Sequence, residues 1–278
     1  MKKERLDILL VKKGLTNTRE KSKKIIMSGV VFVNNNKEDK PGTKINEDSK
    51  IEIKGSIHPY VSRGGLKIEK AFKEFGFSLG GKFCYDIGSS TGGFTHFMLL
   101  NGAEKVIAID VGYGQLAWSL RTDTRVIVKE RTNARYLKPE DVEFQADFVS
   151  IDVSFISLRK ILPAIWNLIK DNAEVICLIK PQFETQRDKV GKNGVVKEKN
   201  VHIDVIKNIV LFCIDNKWLV KGFTYSSIKG PEGNIEYLIY LEKIQSDNLK
   251  NELEEYNKEI NKTVDEAHNN LKKLTPNR

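Results

Sequence analysis

Four charged residues, far apart in the chain, could do proton chemistry if the fold brings them together: Lys67, Asp152, Lys180 and Glu236. Asp152 follows the apolar run Phe148-Val149-Ser150-Ile151, and Lys180 closes Val175-Ile176-Cys177-Leu178-Ile179. Glu236 opens Glu236-Tyr237-Leu238-Ile239-Tyr240-Leu241, and Lys67 stands just after Ser62-Arg63-Gly64-Gly65. Three of the four therefore sit at the edge of a strand-like run. In an open α/β sheet those edges line the ligand crevice. Two lysines with two carboxylates suit removal of a proton from a hydroxyl. Lysine acts as a base when burial and a neighbouring cation lower its pKa. The carboxylates would hold the ammonium groups in register. Taken alone, Lys67 reads as a solvated helix lysine.

A second motif precedes three of them. Asp86-Ile87-Gly88-Ser89-Ser90-Thr91-Gly92-Gly93-Phe94-Thr95 follows a strand-like run and opens a helix. Glycines let the backbone approach a ligand, and a helix N-terminus presents free N–H groups. Asp110, 22 residues after Gly88 at the end of the next strand-like run, is placed to accept hydrogen bonds from ribose hydroxyls. The spacing Gly88-x-x-x-Gly92-Gly93 is not the one that holds a pyrophosphate, and Asp86 would repel a phosphate. A sulfonium ligand with a free amine fits better, so S-adenosylmethionine (SAM) is expected rather than a dinucleotide. The expected cofactor residues are Asp86, Gly88, Ser90, Gly92, Gly93, Phe94, Asp110 and Asn133, the last meeting the adenine.

These residues need a scaffold, and the pattern from residue 61 onward supplies one. Strands are expected over 83–87, 106–110, 126–129, 148–153, 175–180, 222–226 and 236–241, with helices over 66–75, 92–102, 157–169 and 200–214. Alternation of this kind implies a Rossmann-like α/β domain, a mostly parallel sheet with helices on both faces. Lys229-Gly230-Pro231-Glu232-Gly233-Asn234 separates the last two strands as a hairpin would, making one of them antiparallel. Residues 247–273 read as a charged amphipathic helix.

Composition agrees. The 278 residues are 40% hydrophobic and 30% charged, which fits a globular chain rather than a disordered one. No apolar run of about 18 residues suggests a membrane span. Three scattered cysteines and four scattered histidines show no metal spacing, so no metal is expected, and a reducing cytoplasm is. The net charge of +9 is uneven: residues 1–24 hold nine Lys/Arg against three acids. Such a patch suggests a polyanionic partner, with a solvated lysine face as the plain alternative.

The first 60 residues read as a small α+β module. Leu6, Leu9 and Leu10 share one face of a helix over 5–13 that Gly14 stops, and Thr16-Asn17-Thr18 caps a second helix ending near Gly29. Val30–Val33 and Lys50–Ile53 read as strands. The module resembles the ribosomal-protein-type RNA-binding domain. The resemblance rests on Arg5-Leu6-Asp7, Gly14-Leu15, Thr18-Arg19-Glu20-Lys21-Ser22, Ile26, Gly29, Val31-Phe32-Val33-Asn34 and Lys40-Pro41-Gly42. It implies an RNA-facing helix carrying Arg19, Lys23 and Lys24, with Arg5 beside it.

Residues 61–242 are similar to the FtsJ-type ribose methyltransferases. The order of an RNA-binding module, then Ser62-Arg63-Gly64-Gly65-x-Lys67, then Asp86-x-Gly88 resembles the TlyA family, also known as hemolysins. That resemblance implies a SAM-dependent 2′-O-methyltransferase of ribosomal RNA acting at a cytidine. Its catalytic Lys-Asp-Lys-Glu set falls on Lys67, Asp152, Lys180 and Glu236, with Lys180 as base, and Arg63 joins the RNA contacts. The implied divisions are an RNA-binding domain over 1–60, a methyltransferase domain over 61–245 and a helical extension over 246–278. The partners implied are ribosomal RNA or ribosomal subunits. A non-catalytic ribosome-assembly factor and a membrane-active hemolysin are the alternatives.

Overall fold

The computed structural model describes residues 3–27, 29–54, 58–245 and 253–272. The N-terminal module contains β1 (Lys3–Arg5), α1 (Leu6–Lys12), α2 (Arg19–Met27), β2 (Val31–Val33), β3 (Asn36–Lys37), β4 (Lys44–Asn46) and β5 (Ile51–Ile53). Its core is Leu6, Leu9 and Leu10 of α1 packed on Ile25 and Ile26 of α2 and on Val31, Val33 and Ile51. Gly14 ends the first helical segment at φ +68°, as expected of a C-terminal glycine. Asn34 and Asn35 both take left-handed φ values of 49° and 67°, the signature of a two-residue turn between twisted strands. The β1–β4 pair was not foreseen, because three-residue, charge-rich strands carry no apolar pattern.

The larger domain contains α3 (Gly65–Phe75), β6 (Phe83–Ile87), α4 (Gly93–Leu100), β7 (Lys105–Ile109), α5 (Trp118–Arg121), β8 (Val126–Lys129), β9 (Ala146–Ile151), α6 (Leu158–Ile165), β10 (Ile169–Ile179), α7 (Pro181–Glu184), α8 (Lys199–Asp215), β11 (Trp218–Tyr225) and β12 (Tyr237–Lys243). All seven expected strands join one sheet in the order β11-β12-β10-β9-β6-β7-β8. β12 runs antiparallel to both neighbours and lies between β10 and β11; the pairings from β10 through β9, β6 and β7 to β8 are parallel. β10 begins earlier than its apolar run, at Ile169, because a register break before Glu174, with Asn172 at φ +61°, absorbs the polar Lys170-Asp171-Asn172.

The buried strands feed two cores by simple alternation. Val175, Cys177 and Ile179 join one face with Tyr237, Ile239 and Leu241, while Ile176 and Leu178 join the other with Leu238 and Tyr240. The first face is covered by α6, α8 and α9 (Leu253–Lys272), the second by α3, α4 and α5. In α9, Ile260, Val264, Ala267 and Leu271 recur at the 3–4 residue spacing of one helix face and are buried against the sheet side. Among the described residues no helix is long and apolar enough to cross a membrane.

α3 and α4 meet backbone to backbone. A Cβ on Gly93 would lie 2.5 Å from Ser62 Oγ, 2.8 Å from Gly65 N and 3.1 Å from Gly64 Cα. Gly93→Ala should therefore lower stability by about 1–3 kcal/mol through overpacking. Gly80→Ala, whose Cβ meets nothing closer than Ser78 Oγ at 3.9 Å, serves as the control and should stay within about 0.5 kcal/mol of the parent. Urea unfolding monitored by circular dichroism separates the two; equal midpoints would show that the helix contact yields.

Candidate active site

The sheet brings the four charged residues to one edge. Asp152 follows β9 and donates its N–H to Ile87 O at 2.9 Å, which pins it beside β6. Lys180 follows β10. Because β12 is antiparallel and Ile179 pairs with Tyr237, the residue that precedes β12, Glu236, arrives at the same edge as the residue that follows β10. Lys67 reaches them from the first turn of α3.

The four form one chain of ion pairs. Lys180 Nζ lies 2.6 Å from Asp152 Oδ1, Lys67 Nζ lies 3.3 Å from Asp152 Oδ2, and Lys67 Nζ lies 2.8 Å from Glu236 Oε2. Lys67, Lys180 and Glu236 are buried. Lys180 also donates to Ser154 Oγ at 2.9 Å, a partner the sequence reading missed although it stands two residues past Asp152. Burial opposes the charge on Lys67, but Asp152 and Glu236 outweigh it and raise its pKa above the ordinary lysine value. Burial likewise pushes Asp152 upward, and the two lysines overcome it to hold the carboxylate below its usual range. For Glu236, burial wins over Lys67 and the pKa is raised. Lys67 is thus held as a cation by two carboxylates.

Two glycines allow this crowding. Gly88, at φ +83°, would place a Cβ 2.4 Å from Asp152 O, and Gly230 would place one 2.5 Å from Glu236 Oε1. Neither position can carry a side chain without moving a charged residue.

Beside the ion pairs a cleft of about 530 Å³ opens between the ends of β6, β7 and β9. Gly88, Ser90, Asp110 and Asn133 border it, as expected, along with Ile87, Ile109, Val111 and Ile161. Asp110 is oriented by backbone donors: Ser90 N–H to Oδ2 and Gly112 N–H to Oδ1, each 2.7 Å. Asn133 Oδ1 accepts from Arg135 N–H at 3.1 Å, which leaves its NH₂ for a ligand. Gly93 and Phe94 border an adjoining cavity of about 250 Å³ with Lys67 and Asp152. Gly92 borders neither; its φ is +95°, and a Cβ there would strike Leu120 and Leu116.

Asp86 also borders the smaller cavity. It is fully buried, and Oδ2 accepts from Thr95 N–H at 2.8 Å and Thr95 Oγ1 at 2.6 Å while Oδ1 accepts from Ser150 Oγ at 3.0 Å. It caps the first turn of α4 and so fixes the loop from Gly88 to Gly92.

The expected RNA-contacting residues divide in two. Arg5 and Arg19 both donate to Asp7, whose carboxylate is buried: Arg5 Nε to Oδ1 at 3.0 Å and Arg19 Nε to Oδ2 at 2.8 Å. Burial raises Asp7, and the two guanidinium groups more than reverse this, leaving its pKa lowered. Lys23 and Lys24 are exposed on α2, and Arg63 is exposed where it borders the smaller cavity beside Lys67.

Residues 60–243 match the model of the FtsJ-like methyltransferases, and residues 4–51 match the S4 domain. The chain belongs to the FtsJ-like methyltransferase family. It is 51% identical over 272 residues to YqxC of Bacillus subtilis (strain 168), a match covering 98% of this chain and 96% of that protein. It is 39% identical over 241 residues to the 16S/23S rRNA (cytidine-2′-O)-methyltransferase TlyA of Mycobacterium tuberculosis (strain ATCC 25618 / H37Rv), covering 86% and 90%. A solved structure from Streptococcus thermophilus is 45% identical, with a TM-score of 0.75 and 98% of each chain covered. The mixed sheet thus belongs to a methyltransferase domain, and the N-terminal module to an S4 domain.

Asp86 gives this site a pH signature. Burial, only partly offset by Thr95 and Ser150, raises its pKa from 3.8 to about 6. Between those values the folded chain binds more protons than the unfolded one, so stability falls as pH rises through the window, and the loss persists above it. Asp86→Asn removes this dependence. The stability of the parent relative to the variant should drop by about 2 kcal/mol between pH 4 and pH 6.5, most of what a rise from 3.8 to about 6 carries at about 1.36 kcal/mol for each pH unit. Urea titrations of both proteins across that range test this; parallel pH profiles would contradict it.

Proposed function

We propose that this chain transfers a methyl group from SAM to a ribose 2′-hydroxyl of ribosomal RNA, at a cytidine. The observation that carries the reading is the single carboxylate of Asp152 shared by two buried lysines, at the mouth of a cleft suited to adenosine. The cleft residues fit SAM. Asp110 keeps lone pairs for a ribose diol after its two backbone contacts, the isoleucine walls suit a flat base, and the tight approach of Gly88 to Asp152 O brings the cleft beside the lysines. SAM, when bound, supplies a methyl group made electrophilic by its sulfonium.

A ribose hydroxyl is a weak nucleophile, so the site must take its proton as it attacks. Lys67, locked as a cation between two carboxylates, contributes a fixed positive charge. Lys180 shares one carboxylate and a hydroxyl, and we assign it the role of base: after giving up one ammonium proton to solvent, its neutral amine takes the hydroxyl proton as the methyl leaves the sulfonium. Asp152 and Ser154 aim its Nζ. Glu236 holds Lys67 in place and keeps the pair from drifting apart. Alignment of hydroxyl, methyl and leaving sulfur supplies much of the remaining rate.

The division of labour we propose is RNA capture by residues 1–60 and chemistry by 61–245. Arg5 and Arg19, pre-oriented by Asp7, would present their free N–H groups to phosphates beside Lys23 and Lys24, with Arg63 guiding the strand toward Lys67. The names of the relatives support ribosomal RNA as the substrate.

Two experiments test this. Lys180→Ala should slow methyl transfer to rRNA by about 10²–10⁴-fold, read by mass-spectrometric mapping of 2′-O-methylcytidine, while calorimetry finds SAM affinity unchanged. Near-parental turnover would place the base elsewhere. For capture, the Arg19→Ala, Lys23→Ala, Lys24→Ala triple variant should flatten the salt dependence of rRNA binding by roughly one unit of slope per lost phosphate contact. An unaltered slope would make the patch a solvated face.

A further inference from the structure

Glu236 can reach Lys67 only because the chain between β11 and β12 folds back on the sheet edge. The Glu236 carbonyl accepts from Ser226 N–H at 2.8 Å across the turn, but the four charged side chains do not hold the rest of the loop. Asn234, 2% exposed, accepts from Val196 N–H through Oδ1 at 3.0 Å and donates from Nδ2 to Gly194 O at 2.9 Å. Its own carbonyl accepts from Gly230 N–H at 2.9 Å, and Gly230 is the residue pressed against the Glu236 carboxylate. On the other side of Glu236, the Tyr237 hydroxyl lies 2.7 Å from Nδ1 of His202 on α8, and His202 Nε2 lies 3.0 Å from Val196 O. A carbonyl only accepts, so Nε2 carries the imidazole proton and Nδ1 takes the Tyr237 O–H. Asn234, two residues before Glu236, and Tyr237, the residue after it, are thereby tied, through different side chains, to the N–H and the C=O of one buried residue, Val196.

We propose that Asn234 and His202 are positioning residues: by clamping the two sides of Val196 they hold Glu236 in its contact with Lys67. His202 is itself buttressed by His268 of α9, whose Nε2 lies 3.4 Å from His202 Nδ1. The C-terminal helix, which lies beyond residues 60–243, thus adds a side chain to the support of the catalytic edge. The consequence for turnover rests on the methyl-transfer reading above; the consequence for geometry does not.

The test is a double-mutant cycle with a structural readout. Asn234→Ala should slow methyl transfer by about 10- to 100-fold, the scale of a misplacement near 1 Å, with KM for rRNA and SAM affinity within about twofold of the parent, since no binding contact is removed. Added to Glu236→Gln, it should cost nothing further, because its effect passes through Glu236. A crystal structure of Asn234→Ala should show Glu236 beyond hydrogen-bond reach of Lys67. Independent, multiplying costs, or Glu236 still at its parental distance, would overturn the proposal. Tyr237→Phe removes one hydroxyl from the same clamp without opening a large cavity. It should show about a fivefold loss and the same non-additivity, and it decides the matter if Asn234→Ala does not fold. An inactive parent protein would refute the ribose reading, while the Lys67–Glu236 distance in the variant would still judge the clamp.

Discussion

The arrangement depends on one shared carboxylate. Asp152 lies between two lysines, 2.6 Å from one and 3.3 Å from the other, and Lys67 and Lys180 are almost withdrawn from water. Buried ions are expensive, and removing one member of such a set leaves the others unpaired at a cost of about 3–5 kcal/mol. The charges are therefore tolerable only while β9, β10, β12 and α3 keep their relative positions. Local errors in any of these elements would be felt at the site, and the site in turn constrains them.

Sheet topology solves a problem that a purely parallel sheet would not. In a parallel strand, the residue at the ligand edge comes after a long apolar run, as with Asp152 and Lys180. A glutamate must also reach that edge from the β11 side. The antiparallel insertion of β12 lets it come from the start of a strand, directly out of a loop. The loop can then be adjusted by its own contacts, independently of the strand. Glycine completes the packing: Gly88 and Gly230 leave room for charged groups to approach backbone, and Gly64, Gly65 and Gly93 let α3 deliver Lys67 beside the loop from Gly88 to Gly92.

Much of this was legible in the sequence because the physics was local. Continuous apolar runs announced all seven strands. Strands without that pattern were invisible, as with β1, β4 and the polar start of β10. For the site, residue types and their places at strand edges were readable, whereas partnerships were not. That Thr95 and Ser150, nine and 64 residues from Asp86, would hydrogen-bond its carboxylate was not readable from spacing. Lys67, taken alone, looked like a solvated helix lysine, yet Asp152 and Glu236, far along the chain, fix it as a cation. Such outcomes turn on which donor lies within 3 Å, and sequence spacing does not set that distance.

The same principle recasts the basic N-terminus. Counting charges treats Arg5 and Arg19 as equivalent to Lys23 and Lys24. The fold distinguishes them, because the buried carboxylate of Asp7 grips both arginines while leaving their guanidinium groups about half exposed. A lysine on a solvated helix must surrender rotamer freedom when it meets a phosphate, at about 0.5–1.5 kcal/mol for each side chain immobilised. An arginine already held by a carboxylate has lost that freedom during folding and keeps free N–H groups in a planar fork suited to phosphate oxygens. In the RNA capture proposed above, Asp7 would thus take part in recognition although it repels the ligand's charge. The two ends of the molecule share one device: an acid placed inside a cationic cluster to set where the cations point.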